Sequence, residues 1–479
     1  NAITPCPMCM PARTCLITGY SASKLGVLDN YYPENNDNRD TLAVKLSGKG
    51  YSSQAIGKMH FSNKPYAESY GMDDMILSEE MRGVRFAGKT EDIVYDDYDR
   101  FLIKHGMWGW EKPTEIGYNE IKPLINYLPK EYHITQWCGD ETVNWLKNKR
   151  PKGRPFFLWC SFVKPHVPYD CPVHLQDLYD EESMPEPWVS DRDGTHKNPC
   201  FAQYRKMKEF ELYSDLAAKR ARAYYYANIT FIDEQVGRII NTLKEEGLYD
   251  NTLIIFTSDH GDLMGDHGLW YKTFGYEGSI HIPLILHHPG LIKPGTRCSE
   301  IATLLDILPT IASVTGIVTD NNRPGNNLFD LISEKKSCDF AVSEIFTPPN
   351  YMLHVRTKEW KYLFYQNGGY EELYNLKDDP HELVDLSEDK AYAGIKKDLH
   401  YAAAEWILKH GNPGYALDDR KNLRAMPFRN YTEQQYRPFS RMPWDYRIPP
   451  LALPREKRGW FWNEKRRDWS YMVELAKND

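Results

Sequence analysis

Between Thr41 and Gly316 short apolar runs alternate with longer runs of helical periodicity, and this alternation constrains the fold most. TLAVKLSGKGYSSQAIGK reads as an amphipathic helix, a glycine turn and a short strand ending at Gly57. ETVNWLKNKR is helical and leads into PFFLWCSF, a buried strand. RARAYYYANITFIDEQVGRIINTLKEEG carries apolar residues at helical spacing and stops at Gly247. NTLIIFTSDHGD is an apolar strand that breaks into polar residues. IHIPLILHHPG reads as another strand, stopped by Pro289 and Gly290, and TLLDILPTIASVTG as a helix. Strand and helix in this order predict an α/β fold with a mainly parallel sheet between helices.

From about Cys338 the texture changes. AVSEIF, YMLHVRT, WKYLFYQ and EELYNL are short strands with turn signals between them, which predict a small antiparallel sheet. The expected organisation is a catalytic domain over 1–335, an antiparallel subdomain over 336–417 and an aromatic, arginine-rich extension over 418–479. There is no internal repeat and no low-complexity tract. A chain of 479 residues is long enough for a large α/β enzyme. Its formal net charge of −8 argues against a general nucleic-acid binder. No apolar run reaches the roughly 18 residues that span a bilayer. The nine cysteines are scattered and odd in number, so they do not read as a disulfide framework, and redox compartment cannot be read from them.

In open parallel sheets reactive groups gather at the carboxyl ends of strands. Four such exits carry them: Lys58 and His60 in GKMHF, His166 in SFVKPHVPY, Asp259 and His260 in TSDHGD, and Lys272 in HGLWYK. A fifth cluster opens the chain. In CPMCMPARTCLITG, Pro7 and Pro11 constrain a loop that feeds a helix, and such a junction presents N–H groups able to hold an anion. Cys9 and Arg13 lie there. Together these residues offer a nucleophile, a metal-binding carboxylate, two proton-transferring histidines and several cations. That set suits attack on an anionic ester, where charge on non-bridging oxygens must be neutralised. Each also has a plainer reading. Cys6, Cys9 and Cys15 could form half of a zinc site, although a second Cys-x-x-Cys is missing, or a disulfide. Single histidines are more often structural than catalytic, Asp259 could cap a helix, and Lys272 could be a solvated lysine. Asp262, Asp266 and His267 read as loop stabilisers, with contact to substrate as the lesser alternative.

Cys9-Met10-Pro11-Ala12-Arg13 followed by Leu16-Ile17-Thr18-Gly19 resembles the signature of the type I, formylglycine-dependent sulfatases of the alkaline phosphatase superfamily. Gly57-Lys58-Met59-His60 is similar to the second signature of that family. SDHGDLMGDHGLWYK, EGSIHIPLILHHPG, TLLDILPTIASVTG and ELYNLKDDPHELVDL resemble its later segments, in order from residue 1 to about 390. The resemblance implies an alkaline-phosphatase-like sandwich and conversion of Cys9 to formylglycine, whose hydrate attacks sulfur. It implies that His166 is the general acid, and that His60 assists re-formation of the aldehyde. Arg13 and Lys58 hold the nucleophile, while Lys58 and Lys272 neutralise sulfate oxygens. A divalent cation, calcium by family habit, is expected on Asp259, residue 9 and His260, which stands where many relatives have Asn. His260 keeps two roles at this stage, metal ligand or sulfate contact. The family takes two further acidic metal ligands from a first strand upstream of the cysteine motif, and this sequence is read as starting after it, with metal binding and activity correspondingly weak.

The expected substrate is a carbohydrate sulfate ester, with an aryl sulfate also fitting the chemistry. The tail segment FRNYTEQQYRPFSRMPWDYR either binds sulfated sugar or wraps the domain. Two other readings stand beside this one: a phosphonate monoester or phosphodiester hydrolase, and an inactive polyanion-binding relative. The expected partner in maturation is a formylglycine-generating enzyme. Family habit implies a periplasmic, extracellular or cell-surface location.

Overall fold

A computed structural model describes the chain except for residues 31–39, 63–64, 81–92, 111–120, 122, 191–196, 209, 211–212, 348–349, 431–459, 464–467 and 472–479; for 460–463 and 468–471 it describes the backbone alone. The chain forms two units, each assembled from separated segments. One comprises Asn1–Lys49, Pro187–Glu211 and Asp250–Tyr436. The other comprises Gly50–Glu186, Leu212–Tyr249 and Arg437–Asp479.

In the second unit Ser52–Gly57 is the middle strand of a parallel trio, with Asp74–Leu77 on one side and Phe156–Ser161 on the other. Neighbours on both edges account for the complete burial of Ser52–Gly57. Gly57 aligns with both Leu77 and Ser161, so all three strands end at one level and discharge their following residues at one edge. Two helices, Ile134–Asn144 and Asp215–Glu245, belong to this unit. The longer starts at Ser214, whose hydroxyl accepts from the Ala217 N–H at 3.2 Å, and ends just before Gly247. The shorter starts at His133, whose Nδ1 accepts from the Thr135 N–H at 3.2 Å.

In the first unit Ala2–Ile3 lies between Ala302–Thr303, parallel, and His281–Ile282, antiparallel. Ile254–Thr257 pairs antiparallel with Leu284–His287. This corrects the reading of IHIPLILHHPG as one strand. Pro283 lacks an N–H and splits the run, so His281–Ile282 pairs with Ala2–Ile3 while Leu284–His287 turns to Ile254–Thr257. The late strands form the expected antiparallel sheet, Phe340–Thr347, Asn350–Thr357, Trp360–Tyr365 and Tyr370–Asn375 in sequence order. Asn350–Thr357 is buried from Asn350 to Arg356. Lys361, fully buried in this sheet, is ion-paired with Glu277 at 2.7 Å and Glu382 at 2.6 Å. The architecture is the expected α/β one, with a parallel set and a separate antiparallel sheet. Most of the aromatic and arginine-rich tail lies outside the described residues.

Candidate active site

The first unit gathers Cys9, Arg13, Asp259 and His260. The opening helix runs Cys9–Thr18, with Met8 extended at its N-cap. Pro11 sits in the first turn, where a missing N–H costs nothing. The Met10 N–H, which has no partner within the helix, donates to Asn30 Oδ1 at 3.1 Å. Cys9 and Arg13 are four residues apart, one turn along one helix face. Arg13 Nε reaches Asp259 Oδ2 at 2.9 Å.

Asp259 arrives from the carboxyl end of Ile254–Thr257. Its carbonyl accepts from Thr4 Oγ1 at 2.5 Å, and its Oδ1 accepts from the His260 N–H at 3.0 Å. Gly261 makes the tight turn that follows: a Cβ there would sit 2.1 Å from the Gly278 carbonyl oxygen. His260 Nδ1 lies 2.8 Å from the Gly261 carbonyl, which can only accept, so Nδ1 carries the proton. The other ring nitrogen, Nε2, then presents its lone pair 3.1 Å from Cys9 Sγ.

Ligand atoms of Cys9, Asp259 and His260 all lie within 4.8 Å of one another. One carboxylate oxygen, one imidazole nitrogen and the group at residue 9 fit a divalent cation. Among the described residues this cluster offers three donors, fewer than the six to eight oxygens calcium takes, and the imidazole suits a transition metal better. Cys6 and Cys15 are completely buried, and burial pushes both thiols well above the usual range, so they are inert packing groups.

Lys272 is buried in the same unit. Asp262 Oδ1 accepts from the N–H groups of Met264 at 3.0 Å and Tyr271 at 3.1 Å, which closes the loop and returns Lys272 toward Asp262. Asp266 accepts from the Trp188 N–H at 2.8 Å, and the His267 ring stacks on Tyr276 at 4.0 Å. These are the loop-stabilising contacts expected of Asp262, Asp266 and His267.

The second unit gathers Lys58, His60 and His166 around two acids that the sequence reading missed. Gly57 has φ +94°, and a Cβ there would lie 2.1 Å from the Ser161 carbonyl oxygen, so only glycine fits. Directly after it, the Lys58 N–H donates to that carbonyl at 2.9 Å. Lys58 Nζ lies 2.8 Å from Glu80 Oε2, and His166 Nδ1 lies 3.1 Å from Glu80 Oε1. The neighbouring acid, Glu79, accepts from the Met59 and His60 N–H groups, both at 2.8 Å, and so fixes the turn that carries fully buried His60. In turn the Glu79 N–H donates to Asp96 Oδ2 at 2.5 Å; burial raises the Asp96 carboxyl to about 7. Lys164 forms an ion pair with Asp170 and donates to the His166 and Pro168 carbonyls at 3.3 and 3.0 Å, bracing the His166 loop. The signal that could have found Glu79 and Glu80 is positional: two adjacent acids follow a strand at the carboxyl edge of a parallel set.

Comparison with known proteins gives a consistent picture. The Sulfatase family model matches residues 1–317, and the model described as N-sulphoglucosamine sulphohydrolase, C-terminal, matches residues 265–407. The chain is 30% identical to an arylsulfatase of Clostridium perfringens, covering 89% of this chain and 90% of that protein. It is 29% identical to a choline-sulfatase of Rhizobium meliloti, over 85% and 80% of the two. It is 27% identical to the multifunctional alkaline phosphatase superfamily protein PehA of Trinickia caryophylli, over 86% and 87%. Among solved structures, a phosphonate monoester hydrolase of Agrobacterium radiobacter superposes with TM-score 0.71 at 23% identity, covering 89% of this chain and 92% of that one. BT1596, a 2-O GAG sulfatase, superposes with TM-score 0.64 at 21% identity, covering 92% and 89%. These two likenesses concern the fold.

Proposed function

The chain belongs to the sulfatase family, and from that premise we propose that it removes sulfate from a carbohydrate sulfate ester, with residue 9 as nucleophile after conversion of Cys9 to formylglycine. The observation that carries this reading is the junction of Cys9 Sγ, His260 Nε2 and the Asp259 carboxylate, with Arg13 on the same helix face. The match of residues 265–407 to a family model named for an N-sulphoglucosamine sulphohydrolase supports a sugar substrate.

Asp259, His260 and residue 9 would hold a divalent cation. Once bound, it would polarise the nucleophile and the sulfate oxygens. Arg13 is locked on Asp259 and so presents a fixed positive charge beside residue 9. That charge holds the nucleophile in place and favours its deprotonated form. Lys272, a buried cation of the same unit, neutralises charge that develops on the sulfate oxygens.

Lys58, His60 and His166 enter the proposal through the family pattern. Lys58 shares the neutralising role and also holds the nucleophile. His166 protonates the departing alcohol, and His60 takes a proton as the aldehyde re-forms. A formylglycine-generating enzyme matures Cys9. Among the described residues no helix is long and apolar enough to cross a membrane. We propose a periplasmic or extracellular place of action, which cell fractionation would check.

A second reading is hydrolysis of phosphonate monoesters or phosphodiesters, which the resemblance to a multifunctional relative supports. Rates on one leaving group carried as sulfate, phosphonate and phosphate diester, next to a panel of sulfated sugars, separate the two readings. The proposal expects a sugar sulfate to be the preferred substrate. A phosphonate or phosphodiester hydrolysed faster than every sulfate would overturn it.

A further inference from the structure

Three parallel strands deliver three segments to one edge of the second unit, and one side chain joins them. After Asp74–Leu77 the chain turns so that Glu80 takes φ +54°, a left-handed conformation that a residue with a Cβ adopts at a cost. The turn points its carboxylate inward. The Glu80 side chain is 4% exposed, that of Lys58 2% and that of His166 13%. One carboxylate oxygen faces the Lys58 ammonium at 2.8 Å and the other faces His166 Nδ1 at 3.1 Å. A buried carboxylate divided between two cationic or protonatable groups is expensive to desolvate, and two such partners offset that cost.

His166 Nδ1 has a second neighbour, the Val167 carbonyl oxygen at 2.8 Å. A carbonyl and a carboxylate both accept, so Nδ1 must carry a proton. The reactive nitrogen is therefore Nε2. We propose that Glu80 is a positioning residue: it fixes the His166 ring with Nδ1 protonated, so that Nε2 is the atom that gives a proton to the leaving group. This rests on the sulfatase reading above, in which His166 is the general acid. In that step the sulfur–oxygen bond to the leaving alcohol breaks and its electron pair stays on oxygen. The Nε2 proton passes to that oxygen. His166 is left neutral in the Nδ1–H form, the tautomer that Glu80 and Val167 hold, so the ring need not turn over. Water then returns a proton to Nε2. Glu80 also holds Lys58 by charge, which ties the cation and the acid to one anchor.

The test uses the mature protein and Glu80→Gln. A glutamine keeps the shape, but Lys58 and His166 face different atoms of the carboxylate, and the NH2 that replaces one of them can only donate. General acid catalysis is worth roughly 10²–10⁴-fold, and it matters most when the leaving group is a poor one. For a sugar or other alkyl sulfate, kcat should fall about 10²-fold with KM changed less than about threefold. For 4-nitrophenyl sulfate, whose phenolate leaves without a proton, the fall should be under about tenfold. His166→Ala should show the same split, and the double variant should lose little more than either alone. An equal fall on both esters would mark a merely structural role and overturn the proposal.

A second readout does not need activity or a folded variant. The ¹⁵N imidazole spectrum of the wild-type protein should show His166 protonated at Nδ1, and a ring carrying its lone proton on Nε2 would overturn the proposal by itself. If wild type releases no sulfate while the spectrum shows the Nδ1–H form, the sulfatase reading fails and the positioning geometry stands. If wild type is active and Glu80→Gln shows neither the leaving-group split nor a change in the His166 ring, Glu80 has no such role.

Discussion

In each unit one carboxylate pairs with candidate side chains, and these two carboxylates are handled differently. Asp259 faces Arg13, its side chain is 17% exposed, and it stands with His260 and Cys9 as a donor set for a cation. Glu80 is 4% exposed and spends both oxygens on Lys58 and His166. In the proposal above the first acid also serves a cation from outside the chain, although Arg13 and the His260 N–H already engage its two oxygens, while the second holds two of the chain's own side chains. Burial separates the proposed ligand from the proposed anchor, although both are acids placed just after a strand.

The comparison can be broken first at the ligand side. Cys9→Ala should lower sulfate release at least about 10³-fold without unfolding the protein, because it removes the proposed nucleophile and leaves the fold. Steady-state sulfate release with a matching thermal melt checks this. Next, Asp259→Asn should weaken divalent-cation affinity at least about tenfold, read by titration calorimetry after chelator treatment, while Glu80→Gln should leave that affinity within about threefold. Equal loss in both would erase the distinction between ligand and anchor.

Stability should rank the other way. Lys58→Ala strips one partner from a buried carboxylate and should cost about 3–5 kcal/mol in urea unfolding. Arg13→Ala leaves Asp259 with some access to water and should cost about 2 kcal/mol or less. A pH series also sharpens the comparison between the units, through their buried histidines. Burial, helped by Lys164 and His174, lowers His133 to about 3 in the second unit; burial, helped by Lys361, lowers His354 to about 3 in the first. Both are neutral when folded and titrate near 6.5 when unfolded. Stability is therefore intact above about 6.5 and falls as pH drops toward 3, by about 1.4 kcal/mol per pH unit for each group. Urea unfolding at pH 7 and pH 5 should show the loss. His133→Asn, which keeps a helix-capping side chain, should remove one group's share.

The unit built around Asp259 was largely legible in the sequence. Cys9, Pro11 and Arg13 share one helical turn, and Asp259 and His260 end an apolar strand, so local rules place them. The Gly57-Lys58 step was legible as the glycine end of a short strand and through the family resemblance, whereas the approach to Ser161 that requires glycine there was not. Pro283 was present in the run read as a single strand, and weighing its missing N–H would have split it. Glu80 was legible only as one of two adjacent acids after a strand; its partners were not. Its meaning depends on three parallel strands ending at one level and on a left-handed turn, both products of tertiary structure. No local pattern marks an acid that will hold a lysine 22 residues before it and a histidine 86 residues after it.

The most direct test of the central claim pairs two readings on one preparation produced with a formylglycine-generating enzyme. Mass spectrometry of the Cys9 peptide would be set beside sulfate release from sulfated sugars, with and without a divalent cation. The account predicts an aldehyde at residue 9 and sulfate release that disappears with chelator and returns with the cation. An aldehyde at residue 9 and a bound cation, with no sulfate released from any ester, would contradict it.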